Sequence, residues 1–191
     1  MARPLEGLAI LLQTASGSAD AREKCFRRIW QDYYPRLVIF VRGQGGAAAC
    51  EAEDIVQDVM EKIFTGMGRY DPSWSFATWV YTIARNTCRD RARRERARPA
   101  ARSLSDMPAA LEPSHLVTPE QELLRDEAEQ SIGRFFSGAE PDTRQIAFLR
   151  FHQRMRYAEI AAVMGMPVGT VKFRVHEIRR RLKLNLEDGD G

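Results

Sequence analysis

An all-α fold is what this sequence predicts: two small helical domains joined by a flexible linker. Three observations lead there. Apolar residues recur at three- and four-residue intervals along most of the chain, the period of an amphipathic helix. No stretch alternates convincingly in the two-residue period of a strand. Pro99, Pro108, Pro113 and Pro119 punctuate an Ala- and Ser-rich stretch without periodicity, which divides the chain in two. The length of 191 residues suits one ordinary domain or two small ones. A hydrophobic fraction of 44% with 29% charged residues is globular rather than disordered.

The elements follow in order. Residues 1–20 form an N-terminal extension whose apolar run, Leu8 to Leu12, is far short of the ~20 residues that span a bilayer. It also lacks the length and cleavage site of a secretory signal. No membrane insertion and a cytoplasmic location are expected. Asp20 is a good helix N-cap, and Phe26, Ile29, Trp30 and Tyr33 then mark a helix. Pro35 is expected to interrupt it, with Leu37, Val38, Phe40 and Val41 continuing as a second piece until Gly43-Gln44-Gly45-Gly46. A helix over about 51–65 presents Ile55, Val59 and Ile63, and a loop follows at Gly66, Gly68 and Asp71-Pro72-Ser73. The next helix, about 76–96, is apolar first (Phe76, Trp79, Val80, Ile83, Ala84) and basic afterwards. From Arg85 to Arg102 eight arginines face two acids, Asp90 and Glu95, so a bland net charge of +3 hides strong segregation.

The first domain therefore covers residues 21–98, the linker 99–119, the second domain 120–185 and an acidic tail 186–191. In the second domain an acidic amphipathic helix is expected over about 120–136, then helices over 143–153, 157–164 and 168–183. The last two are joined through Gly165-Met166-Pro167. Cys25, Cys50 and Cys88 are odd in number and contain no CxxC pair, which argues against a disulfide scaffold or a cysteine zinc site. None has an evident resolving neighbour, so buried packing is favoured over redox sensing.

Three constellations could carry function. The first is the pair 157–164 and 168–183. A short helix, a small residue (Ala161), a glycine turn and a second helix match a helix-turn-helix. Val171, Val175, Ile178 and Leu182 share one face for packing. Lys172, Arg174, Arg179, Arg180, Arg181 and Lys183 surround it, with Glu177 opposing. That distribution suits a major groove, cations on phosphates and the N-terminal turn on base edges. The plainer alternative is a solvated basic helix closing a bundle.

The second is Glu51, Glu53, Asp54, Asp58 and Glu61. Asp54, Asp58 and Glu61 stand at i, i+4 and i+7 and share a face. They could form half of a divalent-metal site, a docking face for a basic partner, or merely a solvated surface. The third is Tyr70 to Trp79 with the arginine-rich helix behind it. Unpaired bases need aromatic faces beside cations that follow the phosphates. Phe76, Trp79 and Ile83 read largely as core, whereas Trp74 sits in a polar loop. His115, His152 and His176 do not converge, and no nucleophile elbow, phosphate loop or HExxH pattern is present. No catalytic residue, metal or cofactor is expected, and the chain does not read as an enzyme.

Taken together, the segments 52–60, 76–86, 159–161 and 169–176 resemble regions 2.2, 2.3–2.4 and 4.2 of the small two-domain sigma factors of the extracytoplasmic-function (ECF) group, in the sigma-70 family. The resemblance runs from about residue 20 to 184. It implies that the first domain is the region 2 helical bundle and the second the region 4 helix-turn-helix. It implies a factor that binds core RNA polymerase and directs promoter-specific initiation. Asp54, Gln57, Asp58 and Glu61 would dock on a basic coiled coil of the β′ subunit, and region 4 would meet the β flap. Ser73, Trp74 and Ser75 would occupy the loop that receives a flipped base of the −10 element. Arg85, Asn86, Arg89, Asp90 and Arg93 would face the non-template strand. Gly169, Thr170, Lys172, Phe173, Arg174 and Glu177 would read the −35 element in promoter DNA. An anti-sigma factor is implied as an inhibitory partner.

Departures from the family pattern concern specificity. Phe173 stands where a small residue is usual and Glu177 where a base is usual, which predicts an atypical −35 element. Phe173 either meets a thymine methyl or packs inward, and Glu177 either accepts from a cytosine amino group or only weakens phosphate affinity. Gly138-Ala139-Glu140-Pro141 replaces the usual Leu-Pro. Two rival functions stay open: a stand-alone helix-turn-helix regulator, and a helical metal-dependent enzyme using Asp54 and Asp58.

Overall fold

The computed structural model describes residues 19–45, 47–97 and 138–187. Residues 1–18 of the expected extension, the linker and the 120–136 helix, along with the end of the acidic tail, lie outside the described residues; Ala19 and Asp20 are already helical, so Asp20 stands in the first turn of its helix, where its charge suits the helix dipole, rather than at the N-cap. Among those described there are helices and turns and no strand. The first domain comprises α1 (Ala19–Arg42), the single turn α2 (Ala47–Cys50), α3 (Ala52–Gly66), a 3₁₀ turn Met67–Arg69 and α4 (Phe76–Ala97). The second comprises α5 (Pro141–Ala147), a π-helical stretch Phe148–His152, α6 (Tyr157–Met164) and α7 (Val168–Glu187).

The core of the first domain is built from one stripe per helix. α1 contributes Cys25, Ile29, Tyr33, Leu37 and Phe40, α3 contributes Ile55, Val56, Val59, Met60 and Ile63, and α4 contributes Phe76, Val80, Tyr81, Ala84 and Cys88, all buried. Cys25 and Cys88 are thus packing residues, and burial pushes both thiols up, Cys88 to about 11. Such thiols carry little thiolate at neutral pH.

Pro35 does not divide α1, contrary to the break expected from its missing N–H. The helix runs unbroken through it. Pro35 lies on the exposed side, where water can satisfy the freed carbonyl, while Tyr33 and Leu37 are buried on the other. Packing on both sides of the proline holds one axis and outweighs the local penalty.

In the second domain the helix expected over 143–153 starts two residues earlier, at Pro141, and widens into π geometry at Phe148–His152. α6 begins at a capping interaction in which the Arg156 backbone N–H donates to Glu159 Oε2 at 2.7 Å. It ends at Gly165, whose φ of 65° and ψ of 39° are left-handed. An added Cβ there meets nothing within 4 Å, so only the backbone resists substitution. Gly165→Ala is expected to cost about 1 kcal/mol, read as a shift in the urea midpoint at unchanged slope.

The two domains do not stand apart. α6 runs along α4 and their buried residues form one continuous core. Phe148 packs against Phe40 and Tyr81, with ring centroids 6.0 Å from each. Sequence periodicity gave each domain a core of its own and no sign of this seam.

Candidate nucleic-acid interface

On α3 the structure divides the acidic cluster. The Glu51 carboxylate, at the head of the helix, accepts from Arg91 Nε of α4 at 2.8 Å and from its terminal nitrogen. Glu53 lies 3.6 Å from Arg42. Asp54, Gln57, Asp58 and Glu61 are exposed and share one face. The helix is fixed to α4 by Lys62 Nζ, which donates to Thr87 Oγ1 at 3.0 Å. The stripe therefore stands on a rigid backing. Among the described residues no three His, Cys, Asp or Glu side chains cluster as a metal site would require.

The Trp74 loop is braced. The Ser73 N–H donates to Asp71 Oδ1 at 2.9 Å and the Trp74 N–H to the Asp71 carbonyl at 3.2 Å, closing an Asx turn. The bond from Ser73 holds the Asp71 carboxyl below its ordinary range. The Tyr70 hydroxyl donates to the Trp74 carbonyl at 2.7 Å, and the Tyr70 ring packs on Phe76 and Trp79. Trp74 is left 53% exposed. An aromatic this large is normally buried; here three hydrogen bonds fix the loop backbone around an indole that stands half in water. Ser73 is exposed beside it. Ser75 instead caps α4, its Oγ accepting from the Thr78 N–H at 3.2 Å and lying 2.7 Å from Thr78 Oγ1.

Behind the loop, Asn86, Arg89 and Arg93 are exposed on α4, and Asp90 accepts from Arg93 at 3.1 Å. Arg85 is different. It is 7% exposed, and its guanidinium donates to Gln145 Oε1 and to Asp142 Oδ1, the latter at 2.5 Å. Both partners belong to α5 of the other domain. The contacts span 60 and 57 residues of sequence, so no local pattern announced them. The only hint was an acid in the first turn after Pro141. A cleft of about 600 Å³ opens beside this pair, lined on one side by Arg85, Arg89, Arg93 and Arg96.

In the helix-turn-helix, Val171, Val175 and Ile178 are buried and Leu182 packs against them, as the spacing predicts. Gly169, Thr170 and Lys172 are exposed at the N-terminal turns of α7. Phe173 is 69% exposed, which leaves its outward alternative and removes the inward one. Arg174 is half-buried, 3.9 Å from Glu140. Glu177 holds two arginines: its Oε2 and Oε1 accept from Arg180 Nε and its terminal nitrogen at 2.9 and 2.8 Å, and Oε1 accepts from Arg181 Nε at 2.7 Å. These bonds lower the Glu177 carboxyl to about 2. No helix among the described residues is long and apolar enough to cross a membrane.

Comparison with known proteins gives the same assignment. The Sigma-70 region 2 model matches residues 29–98 and the Sigma-70 region 4 model residues 140–182. The RNA polymerase sigma-H factor of Pseudomonas aeruginosa is 31% identical over 144 residues, 73% of this chain and 75% of that one. The ECF RNA polymerase sigma factor RpoE of Cereibacter sphaeroides is 30% identical over 165 residues, 86% of this chain and 87% of that one. In fold, the chain is similar to CnrH in its complex with the cytosolic domain of CnrY (TM-score 0.59, 24% identity, 97% of this chain and 100% of that one). It is likewise similar to RpoE of Bartonella quintana with the anti-sigma factor NepR (TM-score 0.57, 24% identity, 86% of this chain and 98% of that one). With both region models matched in order, and relatives of this identity aligned over most of their length, the chain belongs to the ECF group of the sigma-70 family of RNA polymerase sigma factors.

Proposed function

We propose that this sigma factor acts through three separate surfaces, on two domains spanning about 21–98 and 120–185, and adds no chemistry of its own. Asp54, Gln57, Asp58 and Glu61 dock on the basic coiled coil of β′, while region 4 meets the β flap. Trp74 and Ser73 receive an unpaired −10 base, and Asn86, Arg89 and Arg93, joined by Arg85, follow the non-template strand. Asp90 orients Arg93 beside that strand. The first turns of α7 enter the −35 major groove with Gly169 and Thr170 close to the backbone, Lys172 and Arg174 on phosphates, and Phe173 against a thymine methyl. Polymerase performs the phosphoryl transfer, in the cytoplasm. The anti-sigma complex of the Bartonella quintana relative supports an anti-sigma factor as a further partner.

The observation that carries this reading is Trp74, held out in water by a braced loop at the head of an arginine-lined helix. A stand-alone duplex-binding regulator has no use for it. In vitro transcription with core polymerase on a genomic library tests the reading: discrete start sites should appear only when the protein is added. A folded protein, free of inhibitor, that fails to associate with core would overturn it.

One consequence concerns Glu177. Because its oxygens are taken up by Arg180 and Arg181, it tempers phosphate affinity rather than reading cytosine. Glu177→Gln should tighten duplex binding severalfold and steepen the log–log salt dependence by about one unit. Fluorescence anisotropy across a salt series measures both. A loss of sequence preference at unchanged slope would restore the base-reading role.

A further inference from the structure

Past Glu61, the last acid of the α3 stripe, the surface changes from charged to aromatic. Phe64, one turn further on, meets Phe26 of α1 edge-on, with ring centroids 4.9 Å apart. Phe26 in turn meets Trp30 at 5.9 Å, and Trp30 stacks on Tyr34 at 4.9 Å. The rings form one unbroken ladder, because Phe26, Trp30 and Tyr34 stand at i, i+4 and i+8 along α1. Its inner side rests on the core, against which Phe26 and Tyr34 pack. Its outer side does not: Trp30 and Phe64 each keep 39% of their surface in water. A contiguous apolar face of this kind marks a place where something docks.

What stands next to the ladder selects its occupant. The ladder begins where the chain enters α1: Arg22, in the first turns after Ala19, lies over the Phe64 ring at 5.5 Å from its centroid. Residues 1–18 lead into that point and carry the apolar run Leu8 to Leu12, with Leu5 before it. Leu5, Leu8 and Leu12 recur at the spacing of one helical face. Neither the acidic stripe, the Trp74 loop nor α7 has a use for this run. Between run and ladder lie Gln13 to Ser18, where Gly17 between two serines suits a reversal of the chain. Such a tether extends to roughly 20 Å, and Trp30 lies only about 16 Å along α1 from Ala19. So short a connection gives an effective concentration in the millimolar range, at which a weak contact suffices. A basic coiled coil is the poorer match, since the ladder meets it with Arg22 and offers no carboxylate of its own.

We propose that the run Leu8 to Leu12 folds back onto the aromatic ladder, with Leu8 and Leu12 against Trp30 and Phe64, so that the N-terminal segment is an integral part of the first domain. Two apolar surfaces that would each stand in water are joined by a short tether, and burying one on the other removes both from solvent. The acidic stripe then ends at Glu61 against a covered aromatic face. The proposal stands whichever partner meets Asp54, Gln57, Asp58 and Glu61.

The test uses the full chain, labelled with ¹⁵N and with ¹³C at leucine methyls. Trp30, Trp74 and Trp79 are the tryptophans of the sequence, so the indole N–H signals report three separate places, assigned through Trp30→Phe and Trp74→Phe. Trp79 packs on Tyr70 and Phe76, apart from the ladder. Leu8→Asp puts a carboxylate into the proposed contact, and Gln13→Asp puts the same charge on the tether. Leu8→Asp should shift the Trp30 indole signal and leave those of Trp74 and Trp79 in place, whereas Gln13→Asp should shift none of them. The contact should also read from the other side. In the wild type the Leu8 and Leu12 methyls should lie upfield of a free leucine, under the ring currents of the ladder. Phe64→Ser, a change at a half-exposed ring, should return them toward the free position. Light scattering across a dilution series should give a monomer throughout.

A Trp30 signal indifferent to Leu8→Asp, with leucine methyls at their free positions, refutes the proposal. If that same signal instead moves when core polymerase is added, the ladder belongs to polymerase. Shifts that fade on dilution together with a doubled mass would assign the ladder to a second copy of the chain and overturn the intramolecular cover. Equal shifts from Gln13→Asp, or equal movement of all three indoles, would reduce the effect to charge or to a global change and refute it as well.

Discussion

Asp58→Arg is expected to weaken association with core polymerase at least a hundredfold and to leave the helical fold intact. Asp58 lies in the middle of the exposed stripe formed with Asp54, Gln57 and Glu61 on α3. Against a basic coiled coil the substitution removes one attractive pair and creates a repulsive one. Close charge pairs at interfaces are worth roughly 1.5–7 kcal/mol, and about 3 kcal/mol already corresponds to a hundredfold. The core of α3 lies on its other face, at Ile55, Val56, Val59, Met60 and Ile63, so thermal unfolding should move by about 0.5 kcal/mol or less. Titration of labelled protein with core polymerase at two salt concentrations checks it. The wild type should weaken with salt, and the variant should lose most of that dependence. Near-normal association of a folded Asp58→Arg protein would mean that docking runs through another surface. The measurement also addresses the rival reading as a metal-dependent enzyme, because a metal site built on Asp54 and Asp58 would lose turnover and keep polymerase binding.

How much of this was legible in the sequence depended on how far each interaction reaches along the chain. The α6–α7 pair was readable to the residue at three of its four ends, because the glycine turn and the apolar spacing are local signals; α7 runs on to Glu187, past the expected end at 183. The Trp74 loop was readable for the same reason: the bonds that brace it join residues no more than four apart. Pro35 misled because the local cost of a proline is visible in sequence, whereas the core contacts of Tyr33 and Leu37 that overrule it are not. The acidic cluster looked uniform until the fold supplied Arg91 and Arg42 as partners for Glu51 and Glu53. Arg85 is the sharpest case. Its place on α4 followed from the helical period, but whether it faces water or α5 is decided by residues 57 and 60 positions away. Phe173 illustrates the converse: the sequence left two orientations open, and the burial of Val171 and Val175 on either side of it points its ring outward.

The second large effect should come from Trp74. Its indole is not part of the core, since Tyr70, Phe76 and Trp79 pack on one another without it. The loop that carries it keeps its shape through Asp71, Ser73 and the Tyr70 hydroxyl, and the only group of Trp74 in that network is its backbone. Trp74→Ala should therefore leave stability within about 0.5 kcal/mol and core binding unchanged. Stacking of a base on an aromatic face is worth ~1–3 kcal/mol. Since 1.4 kcal/mol is tenfold, open-complex formation should fall between about fivefold and about 150-fold. Trp74→Phe should recover part of the loss, because a smaller ring still offers a face. The decisive arm uses a forked promoter whose −10 segment is already single-stranded. If Trp74 acts by stacking on an unpaired base, the deficit persists on that template, because the base still has to be captured. Full rescue there would instead assign the indole to prying the strands apart, and an undiminished rate on duplex promoter would remove it from the mechanism altogether.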